Sequence, residues 1–234
     1  MLAGKRLTAV VPARGGSKGL PGKNLLVLGG ETLVARAARL GRDCDAVDAV
    51  VVSSDDDAIL ASAKSVSGVV AARRPPALAT DGAKTGDVVL HLLDDGEIAE
   101  GFVLLLQPTS PLRRLADLEA LLQAFTRAEA PAIVSVVEHS EPRPEKLQRI
   151  VADRLVPYAG GGYEGPRQEL PTPYALNGAF YLIDTTVLRA TRSFLPPGTL
   201  AFVMPPERSA NIDTPADWQV LQAMLAAGYW KIEP

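Results

Sequence analysis

An apolar stretch that runs without a break into a glycine- and cation-rich loop constrains this chain more than any other feature. Leu7 to Val11 reads as a strand, and the loop to Asn24 carries four glycines, three cations (Arg14, Lys18, Lys23) and one hydroxyl, Ser17. Glycines let backbone N–H groups turn inward and approach a ligand closely. Such a loop at the carboxyl end of a first strand suits a polyphosphate. The plain alternative is a solvated basic turn, and the strand feeding straight into the loop argues against it. Two better-known phosphate loops are excluded. A Walker A loop ending at Gly22-Lys23 needs Gly at Ser17 and Ser or Thr at Asn24. No Gly-x-Gly-x-x-Gly occurs in this loop, so the dinucleotide fingerprint is also missing from it.

Further apolar runs follow, and continuous runs suit parallel strands covered on both faces. Val47 to Val52 ends in Ser53-Ser54-Asp55-Asp56-Asp57, a cluster suited to capping a helix from Ala58 to about Ser65. Asp55, first after the strand, is the one that could face a ligand crevice instead. Val69 to Ala71 is a short strand, and a proline-stiffened connection then leads to a helix from Thr85 to Asp94. Phe102 to Leu106 is purely apolar and reads as central. Gln107 at its end stands where open α/β sheets bind ligands. Helices are expected over Glu31 to Leu40 and Asp117 to Arg127, and strands over Ala132 to Val137, Asn177 to Ile183 and Leu200 to Met204. Thr214, with Pro215 and Asp217 after it, starts the last helix. Between residues 138 and 175 glycines and prolines crowd together, which reads as a small excursion that packs on something else.

Composition narrows the function. The 234 residues are 47% hydrophobic, enough for one large α/β domain. A net charge of −3 argues against a nucleic-acid or anionic-membrane binder. The positive charge is instead concentrated in the glycine loop. Cys44 is the only cysteine, so no intrachain disulfide forms and a reducing cytoplasm is the natural setting. No signal-peptide core is seen, and no apolar run approaches the roughly 20 residues of a membrane span. His91 and His139 show no metal-ligand spacing and read as ordinary.

The pattern Ala-Arg-x-x-Ser-Lys-Gly-x-Pro-x-Lys-Asn, Ala13 to Asn24, resembles the signature of the cytidylyltransferases that activate sialic acids and related 2-keto sugar acids. Leu-Gln-Pro-Thr-Ser-Pro-Leu-Arg, Leu106 to Arg113, is a second match, close to verbatim. Val-Ser-Ser-Asp, an Arg-Pro segment, Arg-Gln-x-Leu-Pro followed by Asn-Gly-Ala, and Ile-Asp-Thr fall in the same order, so the resemblance covers nearly the whole chain. It implies a three-layer α/β/α, Rossmann-like nucleotidyltransferase fold with a mostly parallel sheet. The catalytic domain would be residues 1–137 and 176–234, with 138–175 as a dimerising excursion. It also implies a reaction: the C2 hydroxyl of a 2-keto-3-deoxy sugar acid attacks the α-phosphate of CTP, with Mg²⁺, and pyrophosphate leaves.

The resemblance assigns residues as well. Arg14 and Lys18 go to the triphosphate with Lys23 assisting, in a nucleotide loop that includes Ala13, Gly15, Gly16 and Ser17. Asn24, Arg74, Ala83 and Thr85 go to the nucleoside, and Gln107 to the sugar acid. Asp213 is the metal ligand. Lys146 and Arg167 match cations donated by the second subunit of a homodimer, with solvated loop charges as the plain alternative. Asn177 and Tyr181 are further sugar-site candidates. Two departures stand out. Asn211 occupies a position where the family usually has a second metal Asp, which removes one negative charge but leaves an amide oxygen for the metal. Ala175 replaces an Arg of the sugar pocket, which points to a different acid. Two alternatives follow: a nucleotidyltransferase of the same fold using another triphosphate or a sugar 1-phosphate, and a non-catalytic nucleotide-binding module.

Overall fold

The structure, a computed structural model, describes residues 1–158 and 170–232. Seven strands form the main sheet: β1 (Leu7–Pro12), β4 (Ala49–Ser54), β5 (Val69–Arg73), β6 (Phe102–Leu105), β7 (Ala132–Glu138), β10 (Tyr174–Asp184) and β11 (Leu200–Met204). Their spatial order is β11-β7-β10-β6-β1-β4-β5. All neighbours are parallel except β10, which runs antiparallel to both β6 and β7.

The apolar runs are buried on both faces, which is why they do not alternate. Ala9 and Val11 of β1 pack with Val34 and Ala38 of α1 (Leu33–Arg42), Ile59 of α2 (Asp57–Lys64) and Leu121 of α4 (Leu115–Arg127). Val10, between them in sequence, packs with Val89 and Leu92 of α3 (Thr85–Asp94) and Leu188 of α5 (Thr185–Thr191). The result is three layers, with α6 (Pro215–Ala226) closing one end through Leu221, which packs with Leu33, Leu112 and Ile212.

This topology also creates a crevice. The chain leaves β1 through α1 to reach β4 on one side, then comes back through α3 to β6 on the other side of β1. The loops at the carboxyl ends of β1 and β6 therefore diverge at a switch point, where open sheets take ligands.

Several boundaries differ from the sequence reading for local reasons. The first helix starts at Leu33, not Glu31. Gly29 and Gly30, both at positive φ, turn a ribbon of β2 (Val27–Leu28) and β3 (Glu31–Thr32). Thr32 then caps α1 by accepting from the Ala35 N–H at 3.2 Å. α4 starts at Leu115 because Asp117 is its N3 residue, its Oδ2 accepting the Arg114 N–H at 3.0 Å. β10 begins at Tyr174, where it pairs with Glu138, so the main sheet takes in both ends of the expected 138–175 excursion. Within that segment lies the exposed hairpin of β8 (Gln148–Val151) and β9 (Arg154–Pro157).

Candidate active site

A cavity of about 270 Å³ opens at the switch point. Arg14, Lys23, Asn24, Arg74, Ala83, Thr85, Gln107 and Asp213 all line it, together with Thr80, Asp81 and Thr109. Eight residues predicted from sequence, drawn from five separate stretches of chain, thus meet in one place.

The glycine loop is held by buried polar groups. Ala13, wholly buried, donates its N–H to Ser53 O at 3.0 Å. The Gly15 N–H donates to Asp55 Oδ1 at 3.0 Å. Asp55 is therefore the anchor of the loop, and it is Asp56 that caps α2, accepting from Ala58 and Ile59. The Ser17 N–H closes onto Gly15 O, and Gly16 lies between them with open space beside it. Asn24, buried, donates its Nδ2–H to Arg14 O at 2.9 Å. Arg74 lies beneath, donating from Nη2 to Ser53 O at 2.7 Å and from Nε to Ser53 Oγ at 3.2 Å. Burial lowers its pKa to about 10, with Asp55 opposing the shift and Arg14 adding to it. The guanidinium therefore remains charged at neutral pH.

The turn after β6 is gripped just as firmly. Arg113 is buried, and its Nη1 donates to Gln107 O at 2.8 Å and Ala179 O at 2.9 Å. Burial, with Arg36 nearby, brings its pKa down to about 9. Gly178, at φ +74°, lies in a register shift of β10 against β7. A Cβ there would stand 2.7 Å from Gln107 Oε1, so only glycine leaves room for that side chain.

Asp213 reaches the cavity through three ties. The Ile212 N–H donates to Thr109 O at 2.8 Å. The Asp213 N–H donates to Asp217 Oδ2 at 3.0 Å, and Asp217 with Thr214 forms the capping box of α6. Gly19 lies so close to Asp213 O that a Cβ would come within 2.5 Å of it.

Other predicted residues are elsewhere. Lys18 stands at the rim with an 84% exposed side chain, paired to Asp81. Asn177 is buried and engaged within the protein: its Oδ1 accepts from Ser135 Oγ and Ala179 N, and its Nδ2 donates to Ser209 Oγ, so this amide braces β10. Tyr181 packs edge-on to Phe194 with ring centroids 6.2 Å apart, away from the cavity, and burial raises its hydroxyl pKa. Asn211 turns its Nδ2–H to Asp213 Oδ2 at 2.6 Å, so as placed it presents a donor there and not the oxygen expected of a metal ligand. Lys146 is exposed in the turn Pro144–Lys146, outside this cavity. Arg167 lies outside the described residues.

A family model described as cytidylyltransferase matches residues 8–160. The chain belongs to the cytidylyltransferase family. It is 30% identical over 226 residues to the CMP-N,N'-diacetyllegionaminic acid synthase of Legionella pneumophila, covering 94% of this chain and 96% of that one. It is also 30% identical to an N-acylneuraminate cytidylyltransferase of Streptococcus agalactiae, over 89% of this chain and 51% of the relative. The chain thus spans about half the length of several curated relatives it matches. Among solved structures, a CMP:2-keto-3-deoxy-manno-octonic acid synthetase complexed with CTP superposes with a TM-score of 0.71 at 21% identity, covering 95% of this chain and 99% of that one. A 4-diphosphocytidyl-2C-methyl-D-erythritol synthase superposes at 0.68 and 17%, covering 94% and 98%. At those identities the likeness is one of fold.

Asp81 and Arg113 belong to this site and carried no assignment from sequence. Asp81 sits in the stretch read as a base-binding loop, and Arg113 closes the second motif. Both are legible as members of motifs; their partners are not. A hard divalent ion would have to take Asp213 from its present partners, Lys23 Nζ on Oδ1 and Asn211 Nδ2 on Oδ2. Asp213 offers a carboxylate oxygen in the cavity, and among the described residues no cluster of three or more His, Cys, Asp or Glu is assembled, so phosphate oxygens and water would complete the shell.

Proposed function

We propose that this chain transfers CMP from CTP to the C2 hydroxyl of a sialic-acid-like 2-keto-3-deoxy sugar acid, releasing pyrophosphate in a Mg²⁺-dependent reaction. The carrying observation is the convergence of Arg14, Lys23, Arg74, Gln107 and Asp213 on one cavity at the switch point. The hydroxyl oxygen forms a bond to the α-phosphorus, the bond to the β-phosphate oxygen breaks, and the hydroxyl proton is lost to solvent or base. Such a displacement depends on positioning and on neutralising phosphate charge.

Arg14 and Lys18 neutralise the triphosphate, with Lys23 beside them. Backbone N–H groups of the loop from Ala13 to Ser17 add fixed partial charge. Asn24, Arg74, Ala83 and Thr85 hold the nucleoside on buried, prearranged groups. Gln107 orients the acid. Asp213 would hold Mg²⁺ with phosphate oxygens; when bound, that ion would offset the negative charge that develops on the leaving pyrophosphate.

The same reading makes the protein a homodimer. Ile150, Leu155 and Tyr158 on and beside the β8–β9 hairpin are 74%, 72% and 67% exposed, an apolar surface that a second copy would cover. Lys146 next to that hairpin then belongs to the neighbour's sugar subsite. The buried, unpaired Cys44 accords with a reducing cytoplasm.

The deciding experiment is pyrophosphate release with Mg²⁺, four nucleoside triphosphates, and a panel of sugar acids and sugar 1-phosphates. Release with CTP and a 2-keto sugar acid is expected. Release only with another triphosphate or a sugar phosphate overturns the reading. Ala175, with no guanidinium for the acid, favours an acceptor unlike the common sialic acids within that panel.

A further inference from the structure

Before any nucleotide arrives, the phosphate-side cations are already occupied. Asp81 Oδ1 stands 2.7 Å from Arg14 Nη1, and its Oδ2 stands 2.6 Å from Lys18 Nζ. One carboxylate bridges a guanidinium and an ammonium much as a phosphate group would. Lys18 first, and Arg14 with it, hold the Asp81 carboxyl below its ordinary pKa, so it is ionised at neutral pH. Asp213 does the same for the third cation, its Oδ1 standing 2.8 Å from Lys23 Nζ. Two carboxylates thus bind three cations around a single cavity.

A metal-free triphosphate has to displace both carboxylates and then leaves them unpaired beside its own negative charge. A metal-complexed triphosphate brings a cation with it, and the displaced carboxylates regain a partner. On the cytidylyltransferase reading, we propose that Asp81 makes the cavity selective for metal-complexed over free nucleotide by holding Arg14 and Lys18 until a divalent ion can face its carboxylate. The same carboxylate restores the negative charge missing at Asn211. Asp81 is a specificity residue in this account. Its side chain is 45% exposed on the turn before α3, where the Ala83 N–H closes onto Thr80 O, so it is free to swing between the two partners.

Calorimetric titration of CTP in EDTA and in Mg²⁺, with wild type and Asp81→Asn, tests this. Exposed ion pairs are weak, so the variant is expected to bind free CTP about fivefold more tightly, with the gain from Mg²⁺ reduced to match. Asp81→Ser, measured alongside, is expected to behave alike, and equal melting temperatures exclude a folding defect. An unchanged ratio of the two affinities in both variants, with normal wild-type binding, overturns this inference alone. Wild-type protein that binds CTP in neither buffer overturns the cytidylyltransferase reading and this inference with it.

Discussion

Arg74 and Lys18 are cations of one site, and the protein holds them in opposite ways. Arg74 is 5% exposed and fixed by two hydrogen bonds to Ser53. The Lys18 side chain is 84% exposed and tied to Asp81, a carboxylate itself 45% exposed. Asn24 and the Gln107 turn belong with Arg74; Arg14 and the Lys23–Asp213 pair belong with Lys18. On the proposed reading, the nucleoside side is preorganised, with its cost in folding, and the phosphate side is a set of exchangeable ion pairs in which the internal carboxylates would give way to ligand charge. Specificity for a base needs fixed geometry, whereas a triphosphate needs charge that remains available.

The largest expected effect tests the rigid side. Arg113→Met removes two charge-assisted hydrogen bonds, leaving Gln107 O with only the 3.3 Å bond from the Ser110 N–H and Ala179 O without this donor, at a cost of about 3 kcal/mol. Calorimetry should show the unfolding midpoint fall by about 8 °C. A midpoint unchanged from wild type would mean that the turn does not depend on this clasp. Next comes the exchangeable side. Arg14→Ala should reduce turnover about 100-fold in the pyrophosphate assay while the melting temperature holds, because the side chain leaves a polar rim and not the core. Near-normal turnover would remove its phosphate role.

Asp213→Asn should shift the Mg²⁺ titration of activity about tenfold to higher concentration. A coincident titration would exclude it as a ligand. The smallest effect belongs to Lys18→Ala, a few-fold loss of CTP affinity that shrinks further as salt is added. If Lys18→Ala instead matched Arg14→Ala in size, the two walls would not differ as described.

Much of the fold was legible because its signals are local. Asp56 and Thr214 mark helix starts through hydrogen bonds to residues two or three positions away, and Pro215 through a φ already set for the first helical position. Thr32 was missed as a cap because the Gly29-Gly30 ribbon before it disturbed the helical pattern. In the site, the residues that line the cavity stand mostly at strand ends or loop positions of the two strong motifs and the segment before α3, with Asp213 just before α6. Among those that fell elsewhere, Asn177 and Tyr181 lie inside β10. There the alternation of faces and the register shift at Gly178 decide where a side chain points, and neither can be read from Asn-Gly-Ala alone.

The sequence by itself determined the strand and helix order, the phosphate-type loop and the family, since apolar runs, caps and glycine spacing act over a few residues. Tertiary structure alone decided that β10 runs antiparallel, that Asn177 is a brace, that Arg113 clasps the carbonyls of Gln107 and Ala179, and that Asp81 pairs with Arg14 and Lys18. Each of those depends on which polar groups from remote segments come within about 3 Å of each other, and hydrogen-bond partnership is a property of packed surfaces and not of spacing along the chain.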